Sequence, residues 1–227
     1  MDLPGMANSH HIYVTLGVAH EAALLADPAT AHLAESVRTA TQQVREAGNR
    51  RQAAMERSVA ALALRNRADY ELDRLVRRVD LDALRLSDRD RKRSPYRDLF
   101  PHGLTPVVTA PLQREIDQVR RIENRIREIP DLASQAEPLK TAREQLESAI
   151  AAYREAVRAE AEAAADLAVA KSDWLRQMRA SYGALLVLFG DRRRAESYFA
   201  RTRDSGTEAD EQEPAPGGSP ETPGTPA

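Results

Sequence analysis

After Asp27 and Pro28 the chain reads Leu33, Val37, Ala40, Val44 and Ala47 at spacings of 4, 3, 4 and 3 residues. That rhythm puts five apolar side chains on one stripe of an α-helix and marks a coiled-coil-like seam. Asp27 is a good helix N-cap and Pro28 a good first-turn residue. Residues 28–79 hold no further proline and a single glycine, Gly48, so one long helix is predicted over that range. Beyond Ala47 the same phase falls on Arg51, Ser58 and Arg65, while Met55, Val59 and Leu62 supply the apolar row. The stripe is therefore expected to drift around the helix, as it does where a helix packs against more than one neighbour.

A second, longer register begins at Pro138. One phase picks out Leu139, Leu146, Tyr153, Glu160, Leu167, Trp174, Ser181 and Leu188, and its partner phase Arg143, Ile150, Val157, Ala164, Lys171, Met178 and Leu185. No glycine or proline interrupts it from Leu139 until Gly183, and Gly190 suits a left-handed C-cap. A helix over 138–189 follows. At 1.5 Å per residue each long helix is about 78 Å, so the two can lie side by side. Between them Pro111 opens a stripe of Leu112, Ile116, Val119, Ile122, Ile126 and Ile129 that Pro130 closes, predicting a shorter helix over 111–129. Residues 191–201 read as a short amphipathic helix whose Tyr198 and Phe199 cap an end of the bundle. The one weak strand candidate is His11 to Leu16.

The expected fold is all-α: an elongated antiparallel helical bundle or coiled coil with two long helices and one shorter helix. Residues 1–27 are expected to be a partly ordered N-terminal segment, 28–203 a single domain with a basic connector at 80–110, and 204–227 a disordered acidic tail rich in Pro and Gly. The tail carries six acidic residues and no Arg or Lys, so a net charge of -2 for the whole chain leaves +4 on residues 1–203. Aromatics are only 4% of the chain, which favours thin helical packing over a thick core. The positive charge is almost all Arg, with Lys only at 92, 140 and 171. With the excess of Ala, this points to GC-rich, bacterial-like coding before it points to function.

Several chemistries drop out. There is no Cys, hence no thiolate nucleophile, disulfide or Cys-ligated zinc. Asp2 precedes any basic residue, and the first of these is Arg38, unlike a secretory signal. The apolar stretch Ile12 to Leu25 is broken by His20 and Glu21 and falls short of the roughly 20 residues that span a bilayer. A cytoplasmic protein is expected, with Met6 an alternative start to Met1. The five histidines are His10, His11, His20, His32 and His102; His20-Glu21 is followed by Ala-Ala-Leu, so the zinc motif HExxH is incomplete. Neither a nucleophile elbow nor a glycine-rich phosphate loop occurs. No metal, cofactor, small-molecule substrate or enzymatic activity is expected.

What remains are interaction features. From Arg85 to Arg97 six basic residues face only Asp88 and Asp90, a local charge of +4. Arg89, Arg91, Lys92, Arg93, Tyr96, Arg97 and Phe100 are candidate contacts for a partner or an anion. The plainer expectation is a solvated loop whose Tyr96 to Pro101 segment folds back to plug one end of the bundle. Glu160 and Lys171 fall on the seam, where polar residues set register; about 16 Å apart along one helix, they do not pair with each other. The leading expectation is a non-catalytic scaffold or protein-interaction protein, self-associating or bound to a protein partner. Binding of nucleic acid or an anionic surface through 85–97 is the second, less favoured reading.

Overall fold

The computed structural model describes residues 1–200; the acidic tail expected to be disordered lies outside the described residues. The chain forms α1 (His10–Leu25), α2 (Ala34–Leu86), α3 (Tyr96–Leu99), α4 (Thr105–Val108), α5 (Leu112–Ile126), α6 (Ala136–Phe189) and α7 (Arg192–Glu196). Among the described residues there is no strand. The elongated antiparallel all-α architecture is as the heptads predict. Several boundaries differ. Asp27 caps a tight turn, accepting from the Ala29 amide at 2.9 Å, and α2 begins only after a 3-10 turn at Ala31–Leu33. It then runs past Val79 to Leu86, taking Val79 and Ala83 into the core. Pro138 sits in the first turn of α6, where a missing amide costs nothing. The far end of α6 closes on Gly190 in the left-handed region at φ 61, a conformation that suits glycine.

The strand candidate at His11 to Leu16 is wrong, because it lies inside α1. Apolar residues here surround the helix instead of forming a narrow stripe, so neither period stands out. The helix is nevertheless fixed by contact. Tyr13, Leu16 and Leu24 are buried in a core with α2, α6 and α7. Gly17 lies against Thr41 of α2, and Gly48 of α2 lies against the His10 ring. Thr41 Oγ1 also accepts from Trp174 Nε1 at 3.1 Å, so α1, α2 and α6 meet in one layer.

α2 and α6 run antiparallel along their whole length. Thr41 pairs with Trp174, Ser58 with Glu160, Arg65 with the ring of Tyr153 and Asp82 with Gln135. The hydrophobic side chains gather in two separate cores. One combines α1, the first part of α2, the last part of α6 and α7. The other combines the last part of α2, α3 to α5 and the first part of α6. Between them, among the described residues, α2 and α6 continue alone as a two-helix waist.

Gly17 tests how α1 is held. An added Cβ there would overlap the side chain of Thr41, whereas nothing lies within 4 Å of one added at Gly183 of α6. Gly17→Val is expected to lower stability by about 2 kcal/mol through overpacking, and Gly183→Ala to raise it by roughly 0.5–1 kcal/mol through helix propensity. Urea titration followed by circular dichroism gives both values.

Candidate functional site

Seven residues return a coiled-coil helix to the same side, so the series Thr41, Gly48, Met55, Leu62, Asp69, Val76 follows one flank of α2. Its first two members are covered by α1, through Gly17 and His10. At the other end Asp69 faces Glu115 of α5 and Val76 joins the α5 core. On α6 the matching series is Arg143, Ile150, Val157, Ala164, Lys171. Arg143 Nε donates to Glu123 of α5 at 3.0 Å, and Ile150 packs against the α5 core. Lys171 Nζ donates to the carbonyls of Met6 and Asn8 at 3.1 and 2.6 Å and stands 5.2 Å from the centre of the Tyr13 ring. Thus α1 and α5 lie on the same flank of the α2/α6 pair, one at each end. Over Met55, Leu62, Val157 and Ala164 no described residue supplies that third layer.

Exposure tells the same story. Ala54 and Ser58, on the α2/α6 seam, are 2% and 7% exposed, whereas Met55, Val59 and Val157 are 39%, 60% and 42% exposed. The apolar row Met55, Val59, Leu62 is therefore not a drifted seam. The seam passes through the small residues Ala54 and Ser58, and the larger Met55 and Val59 lie on the open flank.

The two ends of this groove differ in charge. At the α1 end stand Arg51, Lys171, His10 and His11. Burial pushes the pKa of His10 down, with His11, Lys171 and Arg51 adding to it; burial likewise lowers Lys171, with Arg51 adding. At the α5 end Asp69, Asp73 and Glu115 converge. Burial first, then the charges of Asp69 and Asp73, push Glu115 up to about 8. The Asp69 carboxyl is raised by burial and by Asp73. Asp73 Oδ1 and Glu115 Oε1 are buried with no other hydrogen-bond partner, and a proton kept on Glu115 lets it donate to Asp73.

The residues singled out from sequence distribute as follows. Glu160 lies on the seam and accepts from Ser58 Oγ of α2. Lys171 faces the N-terminal segment instead of a partner on α2. Tyr96 and Phe100 are not surface contacts: both are buried in the core at the α5 end, and Tyr96 Oη donates to Asp80 at 3.0 Å. Arg93 pairs with Asp88 at 2.8 Å and Arg97 approaches Asp98 at 3.9 Å. Arg89, Arg91 and Lys92 are exposed and carry no ion pair to a described residue, with Arg91 lying 6.0 Å from the centre of the Tyr96 ring.

Two features were missed from sequence. His20 and Ser181 form a pair, Nε2 accepting from the hydroxyl at 2.8 Å while Nδ1 donates to the Tyr198 carbonyl at 2.8 Å. Burial lowers the His20 pKa and keeps the ring neutral. Base and hydroxyl are both shut inside the fold, at 1% and 2% exposure, so the pair ties α1 to α6 and to the segment after α7. A cleft of about 260 Å³ lies beside α3, α4 and α5, with Phe100, Val107 and Ile122 inside and Arg121 and Arg125 at its rim. It is smaller than typical ligand pockets. Among the described residues no cluster of three His, Asp or Glu is arranged to hold a metal, and no helix is long and apolar enough to cross a membrane.

The raised Glu115 pKa sets a pH dependence. In the unfolded chain the carboxyl ionises near 4.5 and in the fold near 8, so its contribution is intact below about 4.5 and stability falls as pH rises towards 8. Glu115→Gln is expected to remove that slope. The variant should match the parent near pH 4.5 and exceed it by roughly 4 kcal/mol at pH 8, read from urea unfolding at a series of pH values. In comparison with known proteins, the chain matches no family model, no curated protein and no solved structure.

Proposed function

We propose that the protein is a non-catalytic helical scaffold that binds another protein through its waist. The observation that carries this reading is the interrupted third layer: α1 and α5 cover one flank of the α2/α6 pair at its ends and leave Met55, Val59 and Val157 exposed and Leu62 half-buried between them. Two helices with small seam residues bury little apolar surface, and a third element over this flank adds burial at roughly 25 cal/mol per Å². Exposed apolar residues gathered on one face are a mark of an interaction site.

A photo-crosslinking residue placed at Val59 in the living cell is expected to capture protein, and one at Arg57, on another face of α2, is not. Equal labelling from both positions would overturn the reading. With the crosslinking residue kept at position 59, the double variant Met55→Glu, Val157→Glu is expected to abolish capture while shifting stability by less than about 0.5 kcal/mol, since both side chains are exposed.

A second reading, binding of nucleic acid or an anionic surface at the connector, draws on Arg89, Arg91 and Lys92, which form no ion pair with a described residue. Their neighbours Arg93 and Arg97 are engaged by acids, which reduces the available charge. If this reading holds, replacing the three cations with Gln weakens duplex DNA binding and flattens its salt dependence by about three counterions. Unchanged binding removes it.

A further inference from the structure

Resting on the reading of the waist as an interaction site, we infer that the groove seats one amphipathic helix of a partner protein, acidic at the end against α1 and basic at the end against α5. The groove runs between His10 over Gly48 and Glu115 beside Asp69, about 20 residues of α2 or roughly 30 Å. That length takes a guest helix of at most about 20 residues, lying in line with α1 and α5 as the missing middle of the third layer. A second copy of the chain does not fit lengthwise. Its own α2 spans 53 residues, roughly 80 Å, and α1 and α5 block both ends of the seat. Crossing the waist instead, a second copy would meet it over about 20 Å, the width of two helices, burying less than the 1,200 Å² or so of a stable interface.

The floor suits a helix in detail. Met55 and Leu62 on α2 and Val157 and Ala164 on α6 repeat every seven residues, the spacing by which a third helix seats its own apolar face. On the α6 side Ala161, Ala164 and Ala168 allow close approach. Charge sets the polarity. At one end Arg51 is exposed with no ion pair to a described residue, and it adds to the positive field on Lys171 and His10. Carboxylates of the guest relieve that field. At the other end Asp69 and Asp73 crowd each other and Glu115; Arg77 approaches Asp73 Oδ2 at 3.7 Å, and at Asp69 the charge of Asp73 outweighs that of Arg65, so cations of the guest relieve what remains. Either chain direction of the guest meets this demand, provided its two ends differ in sign.

Three fluorescein-labelled 20-residue peptides test it against the full chain by anisotropy at low salt. They share one Leu/Ala heptad face. The first has Glu in its opening turn and Lys in its closing turn, which also suits its own helix dipole; the others carry Glu at both ends or Lys at both ends. The first is expected to bind at least tenfold tighter than either, and Met55→Glu, Val59→Glu to weaken it at least tenfold. Equal affinity for all three overturns the charge polarity. No peptide binding, with cross-links between identical chains at the waist, overturns the partner helix and leaves the interaction reading standing. Neither peptide binding nor protein cross-links from Val59 ends both.

Discussion

The antiparallel seam of α2 and α6 is the constraint from which the rest of the molecule follows. Two helices joined over some fifty residues can remain in register only if every turn offers a contact of matching size. In the middle this is met with small groups: Ala54 and Ser58 are buried, and Ser58 bonds Glu160 across the seam. Small contacts keep the axes close but remove little surface from water. The large buried side chains are accordingly concentrated at the ends, where a third helix encloses them. Two hydrophobic cores on one continuous spine are the result.

Polar groups hold each third helix in place, and do so differently. At the α5 end Arg143 reaches Glu123 and Glu147, each at 3.0 Å, and Arg127 adds a second cation to Glu123. Arg143 and Glu123 are both buried, a setting in which removing one partner costs far more than the pair contributes net. At the α1 end the fastenings are mostly neutral or backbone groups: the Trp174 indole on Thr41, the His20 ring between Ser181 and the Tyr198 carbonyl, and Lys171 on two carbonyls. Such groups do not follow a repeat, because each partner is distant in sequence.

That contrast explains how much could be read in advance. The α6 heptads announced their helix directly, since seven-residue spacing is a local property, and the stripe of α5 did the same. α1 escaped because its apolar residues encircle the helix and its identity depends on Gly17 and Gly48 permitting close approach. The waist was misread for a related reason. Met55, Val59 and Leu62 outweigh Ala54, Ser58 and Ala61 on any hydrophobicity scale, so the apolar pattern of the sequence marks the flank more strongly than the seam. Lys171 was noticed as a polar interruption, yet its partners are main-chain carbonyls of Met6 and Asn8, which no side-chain pattern reveals. Tyr96 and Phe100 stood out in an aromatic-poor chain, and their role proved to be filling the core.

The change from three helices to two has a mechanical side. A ribbon of two helices resists bending within its own plane and yields across it, while a three-helix section resists in every direction. By that geometry the two-helix waist is the section least stiff to bending, and the two three-helix ends are the stiffer arms on either side of it. A helix seated beside Val59 and Val157, as proposed above, would act as a splint, fixing the angle between the two ends and so the distance between surfaces far from the point of contact.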